Sequence, residues 1–299
     1  MRLFLKLEKY MKISEIEGIK INCNEVTIDL TIYNPTSSKL YPYIIVNKQT
    51  TINCLKPSPL HGRSIIVDFN RTQNRFTITK GNGLTYFPYG FITTEELDGH
   101  AWGLLRIEEA KRDYLGCSYV NDLGLLTNKM EALFTLKEQT LLTSNNYKII
   151  SPAILQYSVI SPYRIADIPY LSKDTVHLYL NSWNDFFKTD IPEKHCIAAS
   201  VLLNNLKIMH ANDVLHNAIH PQNISLALEL LDFELSRTPV TPYNNEIDER
   251  NYKSLLKREV IQTLEIVSHI AFFCEEKLNN KLLRQIMNRC GFEKFLYSS

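Results

Sequence analysis

The chain has 299 residues, enough to bury a large core without disulfide or metal staples, as one domain or as two lobes. Its 33 Lys and Arg against 32 Asp and Glu leave a formal charge of +1, so no global field draws it onto nucleic acid or anionic lipid. Six cysteines (Cys23, Cys54, Cys117, Cys196, Cys274 and Cys290) lack any Cys-x-x-Cys spacing, which argues against a structural zinc and a thioredoxin-like redox pair and leaves reduced, packed thiols.

The opening MRLFLKLEKYMK carries Lys6, Glu8 and Lys9 too closely spaced for a signal-peptide core, and no later run approaches a membrane span. A cytoplasmic protein is expected. From about Ile19 to Thr79 the chain reads as short strands, VTIDLTIY, YPYIIVN, RSIIVDF and RFTITK, separated by NPTSS, KPSPLHG and NRTQN. After Asp98 and Gly99 the spacing turns helical, with Ile107, Ala110, Tyr114, Cys117 and Val120 on one stripe and Gly124 as the stop. A second strand group follows at YKIISPAILQYSVI. Beyond it HCIAASVLLNNLKIMHAND predicts a buried helix, and NYKSLLKREVIQTLEIVSHIAFFCEEKL a helix with Leu256, Val260, Leu264 and Val267 on one face. Sheet first and helices second is the order of a two-lobed α+β protein, an N-lobe of residues 1–170 and a C-lobe of residues 171–299, with the boundary near Tyr170.

Chemistry concentrates in VLHNAIHPQNISLALELLDFEL, Val214 to Leu235. Asn223 and, nine residues later, Asp232 offer an amide oxygen and a carboxylate, a half-shell for Mg²⁺ completed by water and phosphate oxygens. Asn in a turn and Asp capping a helix is the plainer alternative. Lys80 closes a strand just before Gly81-Asn82-Gly83, an ammonium beside backbone able to approach phosphates. Asp113 falls on or near the apolar stripe of its helix, where a carboxylate needs a cation; Lys80 is the candidate, unless Lys80 is solvated and Asp113 pairs with Lys111 or Arg112. Glu108 and Glu109 are expected to pair with Lys111 or Arg112 on a solvated face. Arg164 reads either as a phosphate clamp or as a surface residue paired with Asp167. His220 is either a base near the loop or, beside Pro221, a structural turn residue.

The segment LLNNLKIMHANDVLHNAIHPQNISLALELLDFEL resembles the catalytic segment of protein kinases, with His216, Pro221, Asn223, Asp232 and Phe233 in matching places. The kinase Arg, catalytic Asp, Lys and the Gly after Asp-Phe are here Asn217, Ala218, His220 and Glu234. Upstream, RFTITKGNGLTYFPYGFITTEELDGHAWGLLRIEEAKRDYLGCSYVNDLGLLT resembles the selenoprotein O family of pseudokinase-fold protein adenylyltransferases, through Lys80, Gly81, Gly83, Asp98, Gly99, Arg106, Arg112, Asp113, Tyr114, Leu115, Leu123, Gly124 and Thr127. In SPAILQYSVISPYRIAD, Arg164 matches the second of the family's two phosphate-contacting arginines, and Tyr157 stands where the first would be.

The resemblance implies a protein kinase-like fold: an N-lobe antiparallel sheet plus helix, and a mostly helical, shortened C-lobe. It further implies ATP and Mg²⁺ as cofactors, with Lys80, Gly81, Gly83 and Arg164 on the nucleotide, Asn223 and Asp232 on the metal, and AMP passed to an unidentified protein or small-molecule acceptor. Lys80, Asp113, Arg164 and His220 are the catalytic candidates. The family's base, the residue before its metal-binding Asn, is Gln222 here, and a neutral amide takes no proton. Two alternatives follow: a nucleotide-binding pseudokinase acting as an interaction module, and an atypical kinase that transfers the γ-phosphate with His220 as base. SRTPVTPYNNEIDERNY is expected to replace the activation loop, held extended by Pro239 and Pro242.

Overall fold

The computed structural model describes residues 30–32, 64–81, 105–136, 141–142, 147–148, 152–242 and 249–296. The expected strand at residues 41–47 lies outside them, as do Gly83, Asp98 and Gly99. Two compact units result: residues Met1–Tyr114 with Lys129–Pro162, and Leu115–Asn128 with Tyr163–Ser299. The first unit ends at Pro162, and the second takes up the chain from Tyr163. Residues from Tyr163 onward are tied to the second unit by backbone bonds, Leu226 N–H to Tyr163 O at 2.8 Å and Ile165 N–H to Ile224 O at 2.9 Å.

The first unit is built on an antiparallel sheet in the order β1 (Leu30–Ile32), β5 (Lys129–Leu136), β8 (Pro152–Val159), β3 (Arg75–Lys80), β2 (Ser64–Asn70), with β4 (Leu105–Arg106) also paired to β8. β6 (Leu141–Leu142) and β7 (Tyr147–Lys148) form a separate two-stranded sheet. β8 is central, and every residue from Ala153 to Val159 is buried, so both of its faces are covered. The β2–β3 connection closes on Asn74 in the left-handed region (φ 53°), a conformation Asn tolerates, with Asn70 Oδ1 accepting the Gln73 N–H.

β5 was not legible as a strand. KMEALFTL is rich in helix formers, and a register shift between Met130 and Ala132 breaks the two-residue alternation, leaving Ala132, Leu133 and Phe134 buried in succession. The helix after β4, α1 (Ile107–Asp122), runs as its stripe predicts: Ala110, Cys117 and Val120 are fully buried. Glu109 turns back to Arg106, Oε1 at 2.7 Å from both Nε and Nη2.

The second unit is helical: α2 (Lys173–Phe187), α3 (Lys194–Ala211), α4 (Glu249–Phe273) and α5 (Asn280–Cys290). α3 packs against both α4 and α5 and is apolar nearly all round, the signature of a core helix. On α4 the buried stripe is Val260, Thr263, Ile266, Val267 and Ile270; Leu256 and Leu264 are only half-buried at its margin. The expectation that Pro239 keeps its segment extended is also corrected. Thr238 and Thr241 exchange backbone hydrogen bonds, so Pro239 occupies the first corner of a tight turn, where its fixed φ is pre-set. Sheet with helix first and helices second is the α+β arrangement expected of a two-lobed protein kinase-like fold.

Of the described cysteines, Cys117, Cys196, Cys274 and Cys290 are free thiols, and burial pushes Cys196 and Cys274 up to about 11, so both stay protonated at neutral pH. No described helix is long and apolar enough to cross a membrane. Gly81, straight after β3, has φ 97°, and a Cβ there would lie 2.5 Å from Ala153 O and 2.9 Å from Leu105 Cβ. Gly81→Ala is therefore expected to lower the unfolding free energy by about 2 kcal/mol or more in chemical denaturation, from backbone strain plus overpacking; an unchanged midpoint would contradict this geometry.

Candidate functional site

In the first unit β3 delivers Lys80 and α1 delivers Asp113. Both are 2% exposed, and Lys80 Nζ donates to Asp113 Oδ2 at 3.1 Å. The pairing inferred from the helical stripe is therefore formed, and Lys80 is not a solvated strand-end residue. An ion pair this deep gains little over packed apolar side chains. Gly81 is accounted for by its close approach to Ala153 and Leu105, whatever it binds.

In the second unit the loop Val214–Leu235 is fixed from below. Glu259 on α4 is fully buried; its Oε1 accepts the Asn217 N–H at 2.6 Å, and its Oε2 lies 2.8 Å from Nε2 of His210 at the end of α3. Asn217 is left-handed there (φ 63°). His216 is also fully buried, with Nε2 3.0 Å from Leu231 O; a carbonyl only accepts, so Nε2 carries the proton. Its ring lies 4.7 Å from that of Phe233. Burial lowers the His216 pKa, opposed by the charges of Glu259 and Asp232, so the ring is neutral.

These contacts bring Asn223 and Asp232 together. Leu231 N–H donates to Asn223 O at 2.9 Å, which sets Asp232 beside the asparagine, with Asp232 in the left-handed region (φ 66°). Asn223 Nδ2 donates to Ala218 O at 3.0 Å, fixing the amide so that Oδ1 accepts no hydrogen bond among the described residues. Asn223 thus offers an uncommitted amide oxygen, and Asp232 is half-exposed. Among the described residues no group of three or more His, Cys, Asp and Glu side chains gathers for a metal.

Arg164 joins the same loop. Its Nη1 donates to Gln222 O, and its backbone pairs with Ser225. Arg164 is not the surface residue of the alternative reading: it is 5% exposed, and Asp167 Oδ2 accepts its backbone N–H at 2.8 Å. No carboxylate among the described residues forms an ion pair with its guanidinium. His220 is exposed, and its Nδ1 accepts the Gln222 N–H at 3.3 Å, starting the short turn Pro221–Asn223.

Glu259 and His210 were missed in the sequence. The only available signal was position: Glu259 precedes Val260 on the buried stripe of α4, an unsuitable place for a solvated charge. Gly116 on α1 was missed too; a Cβ there would lie 2.6 Å from Ser236 Oγ and 3.3 Å from Phe233 Cβ, so a glycine lets the segment after Asp232 lie against the helix.

No protein-family model and no curated protein matches the chain. Among solved structures it is similar to a Stt7 homolog from Micromonas algae, in a crystal soaked with ATP, with 9% identity and a TM-score of 0.35 over 80% of this chain and 80% of that one. It is also similar to a Toxoplasma gondii specific rhoptry antigen kinase domain, with 9% identity and a TM-score of 0.30 over 81% of this chain and 87% of that one. Likeness at this level concerns the overall fold and assigns no activity.

Two predictions follow from the loop's supports. Glu259→Ala orphans the Asn217 N–H and the His210 ring, and is expected to lower stability by roughly 1–3 kcal/mol for each group left unpaired, read by urea denaturation. For His216 the folded pKa is depressed below the ordinary value of 6.5, so its contribution is complete above that pH and is lost as pH falls below it. Melting temperatures in EDTA are expected to fall more steeply below pH 6.5 in the native chain than in His216→Gln; parallel curves would contradict a buried neutral imidazole.

Proposed function

We propose that the chain binds ATP with Mg²⁺ and transfers AMP to a protein or small-molecule acceptor, as its resemblance to the selenoprotein O family implies. The observation that carries this reading is Arg164. A guanidinium 5% exposed and without an ion-pair partner among the described residues leaves a positive charge that an anion would neutralise, and it adjoins the loop bearing Asn223 and Asp232. A polyphosphate with its divalent ion supplies that charge. In this reading Asn223 and Asp232 hold the ion and Arg164 holds phosphate oxygens. Bound Mg²⁺ would supply neutralisation of phosphate charge.

In the transfer an acceptor oxygen forms a bond to the α-phosphorus as the bond to the α–β bridging oxygen breaks, and pyrophosphate leaves. No carboxylate stands at Ala218 or Gln222 to take a proton, and a general base is worth about 10²–10⁴-fold. Charge neutralisation and alignment carry the rest, and a carboxylate or phosphate acceptor needs no base.

The same empty positions favour a second reading, a pseudokinase that binds nucleotide as an interaction module. γ-Phosphate transfer with His220 as base has less support: with Nδ1 accepting the Gln222 N–H, the neutral ring carries its proton on Nε2 and must break that bond to act.

Intact-mass analysis and label transfer from ATP labelled at the α or γ position, together with melting shifts in ATP and Mg²⁺, separate these readings. The expected outcome is a shift of several degrees and transfer of the α label, with Arg164→Gln and Asp232→Asn each lowering transfer about 10²-fold or more. A shift without transfer of either label selects the interaction module, γ transfer selects the kinase, and no shift at all overturns nucleotide binding.

A further inference from the structure

The second unit contains a cavity of about 540 Å³ that shares no residue with the loop of Asn223 and Asp232. Its floor is one face of α3, with Ile197, Val201 and Asn205 at helical spacing, and it is walled by Ile286, Arg289 and Cys290 of α5. This volume falls within the range of small-molecule sites.

Three features specify what would fill it. Asn205 is 5% exposed, yet its amide makes no hydrogen bond among the described residues, and its Nδ2 is a buried donor without a partner. Native interiors rarely leave such a group unmatched, and by turning over, the amide presents either its N–H or its C=O to the cavity. Lys207 and Arg289 are exposed cations of the lining, Lys207 Nζ donating to Arg289 O at 3.2 Å, and the lining contains no Asp or Glu. Cys290 adds no negative charge, since burial holds its thiol above the ordinary value despite those two cations. Ile197, Val201, Ile286 and Phe187 give the lining an apolar part, beside the polar Thr189, Ser200 and Asn204.

We propose that this cavity binds a small organic anion with an apolar body, its tail on the Ile197–Ile286 surface, its anionic group on Lys207 and Arg289, and a polar atom near Asn205. A peptide is the weaker fit, because the unmatched amide lies on the buried floor, where a compact ligand reaches it. The proposal is independent of the nucleotide reading.

Isothermal titration of the full chain without ATP or Mg²⁺, using decanoate, decanol and inorganic phosphate as probes, tests it. Decanoate is expected to bind, with decanol and phosphate each about tenfold weaker or worse, the difference that charge-assisted hydrogen bonds confer. The exposed pair Lys207→Gln and Arg289→Gln should remove the preference for decanoate over decanol without lowering the melting temperature, and Val201→Trp should abolish binding of both by filling the space. Equal binding of decanoate and decanol to the native chain, decanoate binding untouched by Val201→Trp, or no decanoate binding would each overturn the proposal, while a melting shift with ATP and Mg²⁺ would be unaffected.

Discussion

The second unit is organised around one desolvated carboxylate. Glu259 has no access to water, and a buried anion persists only where donors surround it. Those donors come from His210, in the last turn of α3, and from the Asn217 amide, where the loop begins. Apolar packing between α3 and α4 is non-directional and leaves their axial position loosely specified. A carboxylate bonded across the contact selects one position, and with it the point from which the loop departs.

From that point the constraint passes along the loop. Asn217 is pinned in a left-handed conformation; His216 next to it bonds Leu231 and sets its ring at a tilt against that of Phe233; Asn223 bonds Ala218 and receives the Leu231 amide. Asp232 is thereby aligned beside Asn223 although nine residues separate them. The contacts that fix the backbone around Asn223 and Asp232 are formed even though Ala218 and Gln222 supply no carboxylate. Positioning and proton transfer are separable, and this chain keeps the groups that position.

The two units use buried charge differently. Lys80 and Asp113 pair with each other inside the first unit. Arg164 is satisfied only in part, by the carbonyl of Gln222, and retains a charge that an anion would answer. Asn205, in its separate cavity, is an uncharged version of the same condition, a polar group the fold encloses without matching.

Patterning alone determined most helices and the central strands, because burial on one face imposes a period of 3.6 or 2 that is written into residue order. It also determined the Lys80–Asp113 pair, since a carboxylate on an apolar stripe has few ways to be neutralised. Only the tertiary structure decided the bulged strand β5, where an irregular register erases the alternation, and the turn at Pro239, where two threonines close on each other. It alone decided the roles of Glu259, His210 and Asn205. Each looks like an ordinary surface or helix residue in one dimension, and its meaning arises from partners 40 or more positions away, or from a partner that is missing, which no local spacing encodes.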